Sequence, residues 1–163
     1  MSMNELSQAV EKIARCDTAD FCGARPEALV LSAEQVLGLK FPPTYRLFLK
    51  QFGCGSVAGF EVYGIVNDEF EQSSIPNGIW LTLRLRRLAQ APPSLVFVSD
   101  TGDGGYYAID VSRTSPDGES PVIIWWPGTN RPLEECDVVA NDFGQFLHDE
   151  VTRAIQDWDE GFD

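Results

Sequence analysis

Histidine is almost missing from this chain: His148 is the sole one among 163 residues. A Ser-His-Asp or Cys-His machine would have to be assembled around that one imidazole. It stands beside Asp149 and Glu150 on the polar side of a helical pattern, so a surface histidine is the expectation. Cysteine is sparse and scattered. Cys16, Cys22, Cys54 and Cys136 form no C-x-x-C pair, and with one histidine they give too few well-spaced ligands for zinc. They read as free, mostly buried thiols in a chain with enough core to need no disulfide. Long apolar runs are missing as well, none approaching the roughly 20 residues that span a bilayer. The opening Met1-Ser2-Met3-Asn4-Glu5-Leu6 lacks the basic start of a signal peptide. A cytoplasmic location is expected.

Positive charge is the other scarcity. Twelve Lys and Arg face 25 Asp and Glu, for a net charge of −13. Beyond Arg113 the fixed cations are Arg131 and Arg153, against 12 carboxylates. Such a field repels nucleic acid and anionic membranes and speeds encounter with basic proteins. Solubility alone would also account for it. Arg84, Arg86 and Arg87 make one basic cluster, better suited to internal pairing or a solvated face than to nucleic acid.

What is there in quantity is core. Hydrophobic residues make up 44% of the chain, with 10 Phe and 4 Trp, which places it among folded globules. Its length suits a single domain, residues 1–163. The acidic-aromatic end, residues 157–163, is free to fray.

The most informative stretch runs from Leu37 to Gly64, LGLKFPPTYRLFLKQFGCGSVAGFEVYG. One of Pro42 and Pro43 fits the first turn of a helix, where no N–H is needed. Tyr45, Phe48, Leu49 and Phe52 then recur at three- and four-residue steps, a buried stripe opposite Arg46, Lys50 and Gln51. Gly53 and Gly55 stop the helix, and a strand opens at Phe60. Upstream, Leu6, Val10, Ile13 and Ala14 make the stripe of a first helix, and Ser32 with Gln35 has the spacing of a capping box opening a short second one. Leu95–Val98, Tyr106–Val111 and Val122–Trp126 read as strands, Cys136–Ala140 as an edge strand, and Phe143 to Ile155 as a last helix capped by Asn141 or Asp142.

Four catalytic or ligand patterns fail on inspection. Gly53-Cys54-Gly55-Ser56-Val57-Ala58-Gly59 has one residue too many for a dinucleotide fingerprint and follows a helix, not a strand. It is not a nucleophile elbow either. Asp100-Thr101-Gly102-Asp103-Gly104-Gly105 lacks the oxygen spacing of a calcium loop and the Lys-Ser/Thr of a phosphate loop. It reads as a turn between strands whose exposed acids, beside aromatic side chains, suit partner recognition.

The order of these pieces resembles the SUKH superfamily, the SMI/KNR-type domains. Phe41, Pro42, Tyr45, Phe48, Leu49, Gly53 and Gly55 occupy the family's Leu/Phe-Pro-x-x-Tyr-x-x-Phe-Leu and glycine positions, and Asp110 ends its aromatic strand. Pro121-Val122-Ile123-Ile124-Trp125 supplies a third match. The resemblance implies an α+β fold: an antiparallel or mixed sheet flanked by helices. It also implies an immunity protein that binds and neutralises a toxin, with nucleases among the candidates; the failed motifs add the expectation of no enzymatic activity, no cofactor and no metal. A general interaction module of the same fold is the alternative. Residues 79–88 stay ambiguous: Ile79, Leu81, Leu83 and Leu85 alternate like a strand, yet Leu81, Leu85 and Leu88 form a helical stripe, and the family places a helix there. The partner, a basic protein, is expected at Asp68, Glu69, Glu71, Asp100, Asp103, Tyr106 and Tyr107, chosen for their chemistry and loop position.

Overall fold

Two consecutive prolines leave residues 41–44 with only two backbone N–H groups, those of Phe41 and Thr44. How these are satisfied organises the first half of the chain. In the computed structural model, which describes residues 2–161, they carry the chain from helix α2 (Glu27–Leu37) into the first turn of helix α3 (Pro43–Phe52). Pro42 is the N-cap of α3 and has no side chain that could cap it. Two distant carboxylates do the work: Glu34 accepts the Phe41 N–H at 2.8 Å and Glu119 accepts the Thr44 N–H at 3.1 Å. Along α3, Tyr45, Phe48 and Leu49 are fully buried and Phe52 partly so.

The second helix starts earlier than its Ser32–Gln35 spacing predicts. It begins after Pro26, and Ser32 lies inside it with its hydroxyl donating to the Ala28 carbonyl at 3.0 Å. A serine satisfied this way tolerates a helix interior, so the capping-box spacing is coincidental. Helix α1 (Ser2–Ala14) buries Leu6, Ala9 and Ile13. Ala14, assigned to that stripe from sequence, is exposed; Ala9 stands in line with Leu6 and Ile13 instead.

The glycine-rich break is itself structured. Strands β1 (Asp20–Phe21), β2 (Gly55–Val57) and β3 (Phe60–Val62) form an antiparallel sheet in that order. Ala58 and Gly59, with φ of 50° and 81°, supply the two left-handed residues a tight hairpin needs. Gly55 lets β1 approach, since a Cβ there would lie 2.3 Å from the Asp20 carbonyl oxygen. Gly64 is tighter still: a Cβ would fall 1.8 Å from the Gly53 carbonyl oxygen.

Residues 79–88 are helical, within α4 (Gly78–Ala89). Asn77 decides it, its side-chain oxygen accepting the N–H groups of Ile79 and Trp80, each at 3.1 Å. Leu81 and Leu85 are buried, while Leu88 is exposed.

The second sheet is antiparallel, ordered β4 (Leu95–Asp100), β5 (Tyr106–Asp110), β6 (Val122–Trp125) and β7 (Val138–Ala140). Val96 and Val98 enter a core with Phe48, Phe143 and Phe146, whereas Leu95 and Phe97 enter a second core with Leu81, Leu85 and Trp125. Covered on both faces, Leu95–Val98 of β4 reads as an unbroken apolar run. Helix α5 (Phe143–Glu160) is capped by Asp142, whose carboxylate accepts the Gln145 N–H at 2.9 Å. It continues through Asp157, Trp158, Asp159 and Glu160, where the sequence left room for fraying. Phe162 and Asp163, also part of that expected tail, lie outside the described residues. The architecture is α+β, as expected.

Candidate partner-binding surface

The turn joining β4 to β5 holds two of the five acids singled out from sequence, Asp100 and Asp103. Its backbone closes through Thr101 N–H to the Gly105 carbonyl at 3.0 Å. The Thr101 hydroxyl oxygen accepts the Gly105 N–H at 3.1 Å and the hydroxyl donates to Asp103. Asp100 accepts the Gly102 N–H at 2.9 Å, an Asx turn, and its other carboxylate oxygen accepts the Tyr63 hydroxyl. Burial, then the hydrogen bond to Asp100 and its charge, pushes the Tyr63 phenol well above its ordinary range, so that hydroxyl remains a donor.

Asp100 stands between two hollows. One, of about 290 Å³, has Tyr63, Leu81 and Tyr106 among its walls, with Ile75 and Gly102 also lining it. The other, of about 410 Å³, is lined by Phe60, Glu61 and Ser99 among others. Asp100 and Asp103 are exposed, as is Glu61, and among the described residues none of the three joins an ion pair. Many of the cations are already committed. Arg46 and Lys50 pair with Glu27, Arg113 with Asp110, and Arg153 with Glu150, while Arg86 donates to the Leu37 and Pro93 carbonyls. The surplus negative charge is therefore carried by acids without a counter-ion.

The expected residues do not all share this surface. Tyr106 packs on Phe97 at a ring separation of 5.7 Å, on the side facing the Tyr63 hollow. Its neighbour Tyr107 points to the opposite face and packs on Phe146 at 5.0 Å, as strand alternation demands. Asp68 and Glu69 sit exposed on the segment between β3 and α4, and Glu71 lies 3.5 Å from Arg87 on α4. No hydrogen bond or ion pair among the described residues ties these three to Asp100. Sequence reasoning missed Glu61, Tyr63 and Ile75, which belong to the hollows. Tyr63 was readable as a strand residue; its pairing with Asp100 is a long-range contact with no local signal.

The scaffold residues have visible structural tasks. Asp110 is fully buried and accepts from the Ser112 N–H and hydroxyl and from Arg113 Nε, at 3.0, 2.6 and 3.0 Å. It staples the turn after β5, which accounts for an Asp at that place. Phe41 and Tyr45 meet edge to face at 5.3 Å.

A family model, SUKH_6, described as SMI1-KNR4 cell-wall, matches residues 27–147. The chain belongs to the SUKH superfamily. The match takes in α2 to β7, with the proline-led helix, the glycine break and the Asp100 turn. Helix α1, strand β1 and most of α5 fall outside it. Among the described residues no helix is long and apolar enough to cross a membrane.

Proposed function

We propose that this SUKH domain is a non-enzymatic immunity protein that binds a basic toxin domain and occludes it. The observation that carries the reading is Asp100, an exposed carboxylate without a cation, set over an aromatic floor between two hollows. A lysine or arginine of the partner would lay its aliphatic stem on Tyr106, Leu81 and Ile75 and bring its charge to Asp100. Asp103 and Glu61 extend the negative rim, and Asp68, Glu69 and Glu71 add to the field that steers the encounter. A toxin that cuts nucleic acid has a basic cleft and would fit this chemistry. The test is co-expression with any toxin encoded by a gene next to this one. Growth should be restored by the parent and lost with Asp100→Asn combined with Glu61→Gln, provided the variant melts like the parent. A parent that rescues no neighbouring toxin would instead favour an interaction module without a toxin partner.

A further inference from the structure

The four cysteines are not equivalent. Cys22 continues β1 and Cys54 precedes β2, in the register set by Asp20↔Ser56 and Phe21↔Gly55. The Cys22 N–H donates to the Cys54 carbonyl at 2.8 Å, and their sulfurs meet at 2.8 Å. We propose that Cys22 and Cys54 are a cross-strand disulfide site, reduced here, that a small-molecule disulfide such as oxidised glutathione closes.

Directly opposed residues of an antiparallel pair have Cα atoms about 5.5 Å apart, inside the window of roughly 4.4–6.8 Å that a disulfide spans. The 2.8 Å between the sulfurs already brings the pair close to bonding distance. Accessibility orders the two steps. Cys22 is exposed and Cys54 is fully buried, so the oxidant reaches Cys22 first. The Cys22 thiolate attacks one sulfur of oxidised glutathione, forming a mixed disulfide and releasing one glutathione thiolate, which takes up a proton. Cys54 then gives up its proton and attacks the Cys22 sulfur, closing the Sγ–Sγ bond and expelling the second glutathione. Two protein thiols are oxidised and one glutathione disulfide is reduced to two thiols. Burial, reinforced by Cys22, pushes the Cys54 thiol up to about 12, which slows the second step, while the 2.8 Å reach between the sulfurs speeds it.

The bond would tie the segment before residue 27, outside the family match, to the junction of α3 and β2 inside it. Among the described residues Cys16 and Cys136 have no such neighbour: Cys16 contacts the Thr18 hydroxyl at 3.1 Å and Cys136 the Pro132 carbonyl at 3.7 Å. Incubating the full chain in graded glutathione buffers, then alkylating free thiols and weighing the product, tests the site. In oxidising buffer the reactive thiols should fall from four to two. A non-reducing digest should join the Cys22 and Cys54 peptides, and the oxidised chain should melt above the reduced one. The Cys22→Ser variant, altered at an exposed position, should keep all three remaining thiols, and a Cys16→Ser/Cys136→Ser double variant should still cross-link. Four alkylated thiols in oxidising buffer, or a glutathione adduct persisting on Cys22, would overturn the proposal.

Discussion

Glu119 and Thr44, 75 positions apart, are joined twice: the carboxylate accepts the Thr44 N–H at 3.1 Å and the Thr44 hydroxyl at 2.9 Å. The same threonine oxygen accepts the Gly144 N–H at 3.2 Å, so one buried cluster ties the N-termini of α3 and α5 to the loop before β6. A negative group at two helix N-termini is well placed electrostatically. It also answers the problem set by Pro42 and Pro43, whose helix has no cap of its own.

Replacing Glu119 by Ala should cost about 1–3 kcal/mol, because it leaves a buried N–H without an acceptor. Glu119→Gln should lose less, since its amide oxygen still accepts from Thr44. Burial raises the Glu119 carboxyl above its ordinary 4.5, against the pull of the Thr44 donors. The folded chain therefore holds that proton more tightly than the unfolded one. Stability from this group is greatest below pH 4.5 and falls as pH rises through the raised value. Urea midpoints of parent and Glu119→Gln across that range check it: the variant should gain on the parent as pH rises, whatever slope the other carboxyls give both. Glu150, raised for the same reason, keeps its part of the slope in both.

Tyr45 is fully buried and its hydroxyl donates to the Tyr63 carbonyl at 2.9 Å. Tyr45→Phe keeps the ring contacts with Phe41, Phe48 and Phe143 but strands that carbonyl. A loss of about 1–3 kcal/mol is expected by denaturant melting. An unchanged midpoint would mean the hydroxyl is dispensable.

Phe48 touches Phe21, Tyr45, Phe52 and Phe143 and has no exposed surface. Phe48→Ala should cost about 3–5 kcal/mol by loss of burial plus the cavity left behind. Parent-like melting would show that α3 is not packed as described.

The stripe of α3 was legible because helical periodicity is a local signal, and so were the β4 and β5 runs and the Asp100 turn. The β1–β2–β3 sheet was not. Its strands are two or three residues long, too short for any period, and Gly55 belongs to it for clearance rather than as a helix stop. Residues 79–88 alternate by accident of leucine and arginine spacing. Asn77 carried the deciding signal, two residues before the ambiguous run. At the candidate surface, loop position and composition picked out Asp100, Asp103 and Tyr106. The β5 alternation that turns Tyr107 away follows from the strand itself and could have been applied to the pair. Tyr63 and Glu61 come to the surface only through the tertiary fold.

If acids steer a basic partner, association should slow as salt rises, because the field reaches about 30 Å at 0.01 M salt but only about 8 Å at physiological strength. Dissociation should change less, being set by packing and desolvated contacts. Neutralising Asp68, Glu69, Glu71, Asp100 and Asp103 together should lower the low-salt association rate by about tenfold or more and flatten its salt dependence. Asp100→Asn alone should act differently. It keeps an acceptor for the Tyr63 hydroxyl and removes one charge, so its effect should fall on dissociation if a cationic side chain seats there. The split between the two variants is the informative measurement, read by binding kinetics at two salt concentrations with melting curves alongside. An unchanged association rate for the five-fold variant, with full rescue of growth, would remove this face from consideration.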